Sequence, residues 1–156
     1  IENVRRKSGG ELCLFSKMAA LLADVDSDVF HAMAAMGRSI GTAGQLISDC
    51  YDLYSNKYDC DLASGILTLP IVFHVEGLDS SGKDAFKNDL IRAESDSSVR
   101  DDIGQCVAHS GALRRVYHTI NSCRDDALLA LSSLDLPNAR DVYLKKIILS
   151  KCQHQI

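Results

Sequence analysis

Asp49 and Asp52 stand three residues apart in the stretch SDCYDLYSNKYDCDLASGILTLP, residues 48–70. On a helix, carboxylates at that spacing point the same way and can share a hard cation such as Mg²⁺. Mg²⁺ takes one or two carboxylates and completes its shell with waters and phosphate oxygens. At about 100° per residue, Arg38, Gln45, Ser48, Asp49, Asp52 and Asn56 fall within roughly a 90° arc. Met36, Ala43, Ile47, Cys50 and Tyr54 lie opposite. A solvated face is the plain alternative. Solvated helices usually lace their acids with Lys or Arg one turn on. Here no basic residue occurs between Arg38 and Lys57, and residues 32–44 are rich in Ala and Gly. Such a segment lets neighbouring helices come close, which argues against water along its whole length. From spacing alone both readings stand, since D-x-x-D is a short pattern.

Other chemistry is thinner. His74, His109 and His118 have no acid or Cys at triad or metal spacing, so they read as structural or exposed. The six cysteines, Cys13, Cys50, Cys60, Cys106, Cys123 and Cys152, form no C-x-x-C and meet no His at zinc spacing. They read as reduced thiols in a cytoplasmic protein. A net charge of −4 argues against nucleic acid as a partner, because phosphate contacts need a basic surface. The absence of Trp argues against a base-stacking platform. No apolar run approaches the roughly 18 residues of a spanning helix, and no N-terminal stretch has a signal-peptide layout.

The elements that must carry these groups read as helices joined by short polar links. Few runs alternate with period two, so strands are not expected. Residues 2–23 predict a first helix with Leu12, Phe15, Ala19 and Leu22 on its stripe. The sequence DVDS at 24–27 breaks it, with Asp26 or Ser27 able to cap the next helix over 28–56. Residues 63–79 predict a short apolar helix with Pro70 in its first turn. Segments 80–93 and 97–111 predict two amphipathic helices opened by serines. Leu113, Val116, Ile120, Cys123, Ala127, Leu131 and Leu134 recur at steps of three and four, a bundle seam. Residues 134–149 close the chain, with Pro137 at a helix start. The fold class expected is all-α, a helical bundle, with 1–156 a single domain or part of one.

The order of these features resembles the trans-isoprenyl diphosphate synthases around their second aspartate-rich region. That family's pattern is Phe-Gln, two residues, Asp-Asp-x-x-Asp, a loop, then Asp-Leu-x-x-Gly-Lys-x-Thr-Leu-Pro. Gln45 matches the glutamine, and Asp49 and Asp52 match the second and third aspartates. Asp61-Leu62, Gly65 and Thr68-Leu69-Pro70 match the second block. Lys7 and Ser8 stand where the family has a Lys-Thr pair, and SGALRRVYHTINSCRDDALLALSSL resembles its late Ser-Gly-Ala helix. Three positions depart: Ser48 replaces the first aspartate, Ile66 the lysine and Gly44 the phenylalanine. The short loop and weakened first acid look more like the branch that includes bacterial quorum-sensing peptide prenyltransferases. The family's first Asp-rich motif is absent, so the chain looks like the C-terminal half of an isoprenoid-synthase helical domain.

The resemblance implies a Mg²⁺-dependent prenyltransferase that ionises an allylic prenyl diphosphate. Metal ions would neutralise the leaving group as its C–O bond breaks. Asp49, Asp52 and Ser48 would be metal ligands, while Lys7 and Gln45 would meet the diphosphate. For Ser48 the alternative is polar lining, for Lys7 an i,i+4 pair with Glu11, and for Asp61 a helix cap. Met36, Ile40 and the Phe15 stripe read as core. The implied partners are the missing N-terminal half and a second copy in a homodimer. Two other readings remain: a catalytically degenerate relative, favoured by Ser48 and Ile66, and an unrelated helical interaction module.

Overall fold

A computed structural model describes residues 1–55 and 59–152, except the side chain of Lys151. Among them every regular element is helical. A first helical stretch comprises α1 (Glu2–Val4), a π-helical segment (Arg5–Gly9) and α2 (Gly10–Leu22). Then follow α3 (Ser27–Asp52), α4 (Leu69–Glu76), α5 (Ser80–Ala93), α6 (Ser97–His109), α7 (Ala112–Ser132) and α8 (Asn138–Cys152). No helix among the described residues is long and apolar enough to cross a membrane. The chain divides into two compact units, Ile1–Ile47 with the chain from Thr119 onward, and Ser48–His118.

In the first unit, α2 packs on α3 through small residues. A Cβ on Gly37 would lie 2.2 Å from Ser16 Oγ and 2.7 Å from the Leu12 carbonyl oxygen. One on Gly41 would lie 2.5 Å from the Ser8 carbonyl oxygen. Only hydrogen fits where two helix backbones come this close. The consequence overturns the expected stripe on the first helix. Its buried residues are Gly9, Cys13 and Ala20, whereas Phe15 and Leu22 are 55% and 88% exposed. Small side chains won the interface, and the large ones (Leu14, Phe15, Met18, Leu21 and Leu22) were left outside. Ala127, Leu131 and Ile148 form a core in this unit, with Met36, Ile40, Leu128, Leu134, Leu136 and Leu144 packed around it. The α7 seam is buried from Leu113 to Leu131, as its spacing predicts.

Aspartates start the helices. Asp26 Oδ1 accepts from the backbone N–H of Asp28 and Val29 and caps α3. Asp79 accepts from the Gly82 N–H at 2.7 Å, and Asp96 from the Ser98 N–H at 2.9 Å. The serines expected to open α5 and α6 sit inside the first turn instead. Each cap satisfies an N–H that the helix leaves unpaired. α3 ends at Asp52 rather than at 56, and Asn56 lies outside the described residues.

In the second unit, residues 61–65 are turns, and the helix expected from 63 begins at Leu69 with Pro70 in its first turn. Asp61 therefore caps no helix. Its carbonyl oxygen accepts from the Ile66 N–H at 2.8 Å, closing a turn in which Gly65 has φ +67°. That left-handed conformation is what glycine permits cheaply.

Candidate metal and diphosphate site

The burial axis of α3 runs through Thr42, Leu46, Asp49 and Leu53, to one side of the polar stripe read from the sequence. The stripe is thereby split. Asp49 falls on its buried edge at 5% exposure, Asp52 is half-buried, and Ser48 and Arg38 are exposed. A carboxylate is seldom this buried unless something charged or hydrogen-bonded meets it. Its neighbour Cys50 shows the effect of the place. Burial, and then the negative charge of Asp49, push that thiol up to about 12. With no cation beside it, Cys50 is thus held as a neutral thiol. All six cysteines are free thiols.

Asp52 ties the end of α3 to the loop beyond it. Its Oδ2 accepts the backbone N–H of Asp61 at 2.5 Å. One carboxylate oxygen thus accepts from the backbone. Nearby, α6 approaches the end of α3 through Gly104, where a Cβ would lie 3.4 Å from the Leu53 carbonyl and 3.5 Å from the Tyr54 ring. Tyr117 is pushed up to about 12, chiefly by burial and then by Cys50, Tyr54 and Tyr51. Burial likewise raises Tyr54. Ile66, standing where the resemblance has lysine, is 52% exposed.

In the first unit, Ser8 Oγ donates to Gln45 Oε1 at 2.7 Å and fixes the amide. Lys7 lies in the π-helical segment and is exposed. The i,i+4 pair of Lys7 with Glu11 does not form; the ion pair on this stretch is Arg6 with Glu2, at 2.9 Å. Sequence reasoning missed the π-helical segment, because hydrophobic spacing carries no mark of one inserted residue. It missed the Asp52–Asp61 tie as well, although two motif aspartates nine residues apart were a usable signal. The histidines fall as read: His74 is buried against Phe86, while His109 and His118 are exposed.

Among the described residues, no three His, Cys, Asp or Glu side chains gather as a metal cage. A pair of carboxylates one turn apart suits a cation that also takes phosphate oxygens and water, as Mg²⁺ does. It does not suit a metal that needs a full protein shell. The donors, the carboxylates of Asp49 and Asp52, are hard oxygens. By these tests, the residues present fit Mg²⁺.

The fold is that of the all-α isoprenyl synthases. The chain superposes on a geranylgeranyl pyrophosphate synthase from Bacteroides thetaiotaomicron with a TM-score of 0.83, at 17% identity, over 97% of this chain and 50% of that one. The polyprenyl synthetase family model matches residues 1–109, and the chain belongs to that family. It is similar to solanesyl diphosphate synthase 1, chloroplastic, of Arabidopsis thaliana, 24% identical over 135 residues. That match takes in 82% of this chain and 32% of the relative. A prenyl transferase of Cyanophora paradoxa is 38% identical over 76 residues, 45% of this chain and 24% of the relative. The chain therefore spans a third or less of the curated relatives it matches.

Proposed function

We propose that this chain carries the second metal-binding half of a trans-prenyltransferase acting on an allylic prenyl diphosphate. The observation that carries the reading is Asp49, a carboxylate 5% exposed and one turn before the tethered Asp52. In this reading Asp49 and Asp52 hold Mg²⁺, with Ser48 at the exposed edge of the same turn. When bound, Mg²⁺ would supply Lewis-acid stabilisation of the departing diphosphate. Asp52, steadied by the Asp61 N–H, presents its remaining oxygen to the ion. In this reading Gln45, whose amide is oriented by Ser8, meets a phosphate oxygen or a ligand water. In this reading Lys7, which enters no ion pair among the described residues, meets the diphosphate with its ammonium from the same helical stretch as Ser8.

The partners in this reading are an N-terminal half bearing the other aspartate-rich motif and a second copy of the assembled domain, and the protein works in the cytoplasm. The exposed apolar face of α2 supports the first of these, since a contiguous apolar surface usually marks an interface. Release of pyrophosphate from geranyl diphosphate, followed with and without Mg²⁺, tests the reading. Mg²⁺-dependent release abolished by Asp52→Asn is expected.

One observation favours a second reading, that of a catalytically degenerate relative: the exposed isoleucine at position 66 removes a cation from the second motif. Ile66→Lys separates the two. Binding of diphosphate without release, converted to release by the lysine, would establish degeneracy.

A further inference from the structure

The first unit holds a cleft to which Lys7, Gln45, Ser48, Asp49 and Asp52 contribute nothing. It is half-open, about 320 Å³ in volume, and lined by Arg5, Ala35, Arg38, Ser39, Thr42, Cys123 and Asp126. That volume is in the range of small-molecule sites.

The charges are what make it unusual. Ion pairs among the described residues join Arg6 to Glu2, Arg92 to Asp89, Arg115 to Glu76, Arg124 to Asp125 and Lys145 to Asp141. Arg5 and Arg38 enter none of them, although the chain carries a net charge of −4. Nor does either pair with Asp126, the carboxylate of the same cleft. Arg38 is steadied through one nitrogen, which donates to Cys13 Sγ at 3.4 Å. A sulfur is a weak acceptor, so the fork of the guanidinium is left able to grip an anion. Arg5 rides on the π-helical segment, an irregularity that recurs at functional sites. Its charge reaches the cleft floor: burial raises the Cys123 thiol, and Arg5 opposes that shift. The Thr42 hydroxyl donates to the Arg38 carbonyl at 2.8 Å, which leaves Ser39 as the hydroxyl donor facing a ligand.

From this we infer that the cleft binds a phosphate-bearing small anion through Arg5 and Arg38, without a divalent metal. A phosphate carries enough oxygens for two planar guanidiniums to engage it at once, which one carboxylate does not, and a single small cleft in an acidic chain does not suit a long polyanion. Asp126 counters one of the two positive charges. It weakens the site for every anion and makes affinity sensitive to its own charge. The inference stands apart from the prenyltransferase reading, since the site at Asp49 needs Mg²⁺ and this one does not.

Calorimetric titration of the chain with pyrophosphate in EDTA is the test. One-to-one binding is expected, weakened about tenfold or more in Arg5→Gln/Arg38→Gln and tightened in Asp126→Asn. Binding that survives EDTA and Asp49→Asn belongs to the cleft, so the two readings fail separately. No heat in EDTA, or unchanged affinity in the double arginine variant, overturns the inference. Should that variant not fold by circular dichroism, Asp126→Asn decides, because an unaltered affinity there is equally fatal. Geranyl diphosphate binding no tighter than pyrophosphate would assign free anions as the source of the ligand. Tighter binding, lost in the arginine variant, would assign the prenylated ester.

Discussion

Single residues in this chain are set by what burial permits. His74 is buried on α4, its ring centroid 4.7 Å from that of Phe86. Its Nδ1 meets no hydrogen-bond partner among the described residues. Desolvation lowers its pKa below the ordinary 6.5, since the charged ring loses water and gains nothing in exchange. The unfolded chain therefore takes up the proton first as the medium is acidified. The stability linked to His74 is intact above pH 6.5 and is lost as pH falls from there through the folded-state value. Thermal unfolding between pH 7.5 and pH 5 should show a falling midpoint, and His74→Leu should flatten that slope. An equal slope in the variant would place the acid sensitivity elsewhere.

At the scale of elements, the α2–α3 contact is the most exacting feature. Gly37→Ala would set a methyl 2.2 Å from Ser16 Oγ and 2.7 Å from a backbone carbonyl. The hydroxyl can rotate away, but the carbonyl cannot. The cost expected is about 1–3 kcal/mol, the usual range for overpacking, read as a lower urea midpoint with an unchanged slope. An alanine tolerated at no cost would mean the helices are not in contact there.

Elements also show what the sequence could and could not disclose. The α7 seam was legible because large side chains at steps of three and four have one way to be buried. The first helix misled for the opposite reason. Its interface is written in Gly9, Cys13 and Ala20, which carry almost no hydrophobic signal, while Phe15 and Leu22 carry much and are exposed. The Ala- and Gly-rich run on α3 did announce close approach. The polar stripe announced its aspartates, yet no periodicity argument could say that Asp49 and Ser48 would part, one inward and one outward. That division depends on which neighbours α3 meets. The end of α3 at Asp52 was hidden because the helical spacing runs on past it, and the turn at 61–65 because the apolar run after Ala63 reads as helix before Pro70.

For the molecule as a whole, the large apolar residues left outside matter most. Leu14, Phe15, Met18, Leu21 and Leu22 put an apolar face of α2 on the surface. If that face meets other parts of a larger fold, the isolated chain should cover it with another copy. Light scattering should then give about twice the monomer mass, and Phe15→Ser/Leu22→Ser should shift it toward the monomer. A monomeric wild type would show that the face is tolerated in water.

The central claim is that buried Asp49 meets Mg²⁺ and diphosphate together. Titration of pyrophosphate into the chain with Mg²⁺ present, beside the same titration of Asp49→Asn, addresses it most directly. Asparagine keeps the shape and removes the charge. The wild type should gain a Mg²⁺-dependent binding component over the EDTA baseline, and the variant should lose it while keeping its fold. Identical Mg²⁺-dependent isotherms for the two proteins would contradict the account.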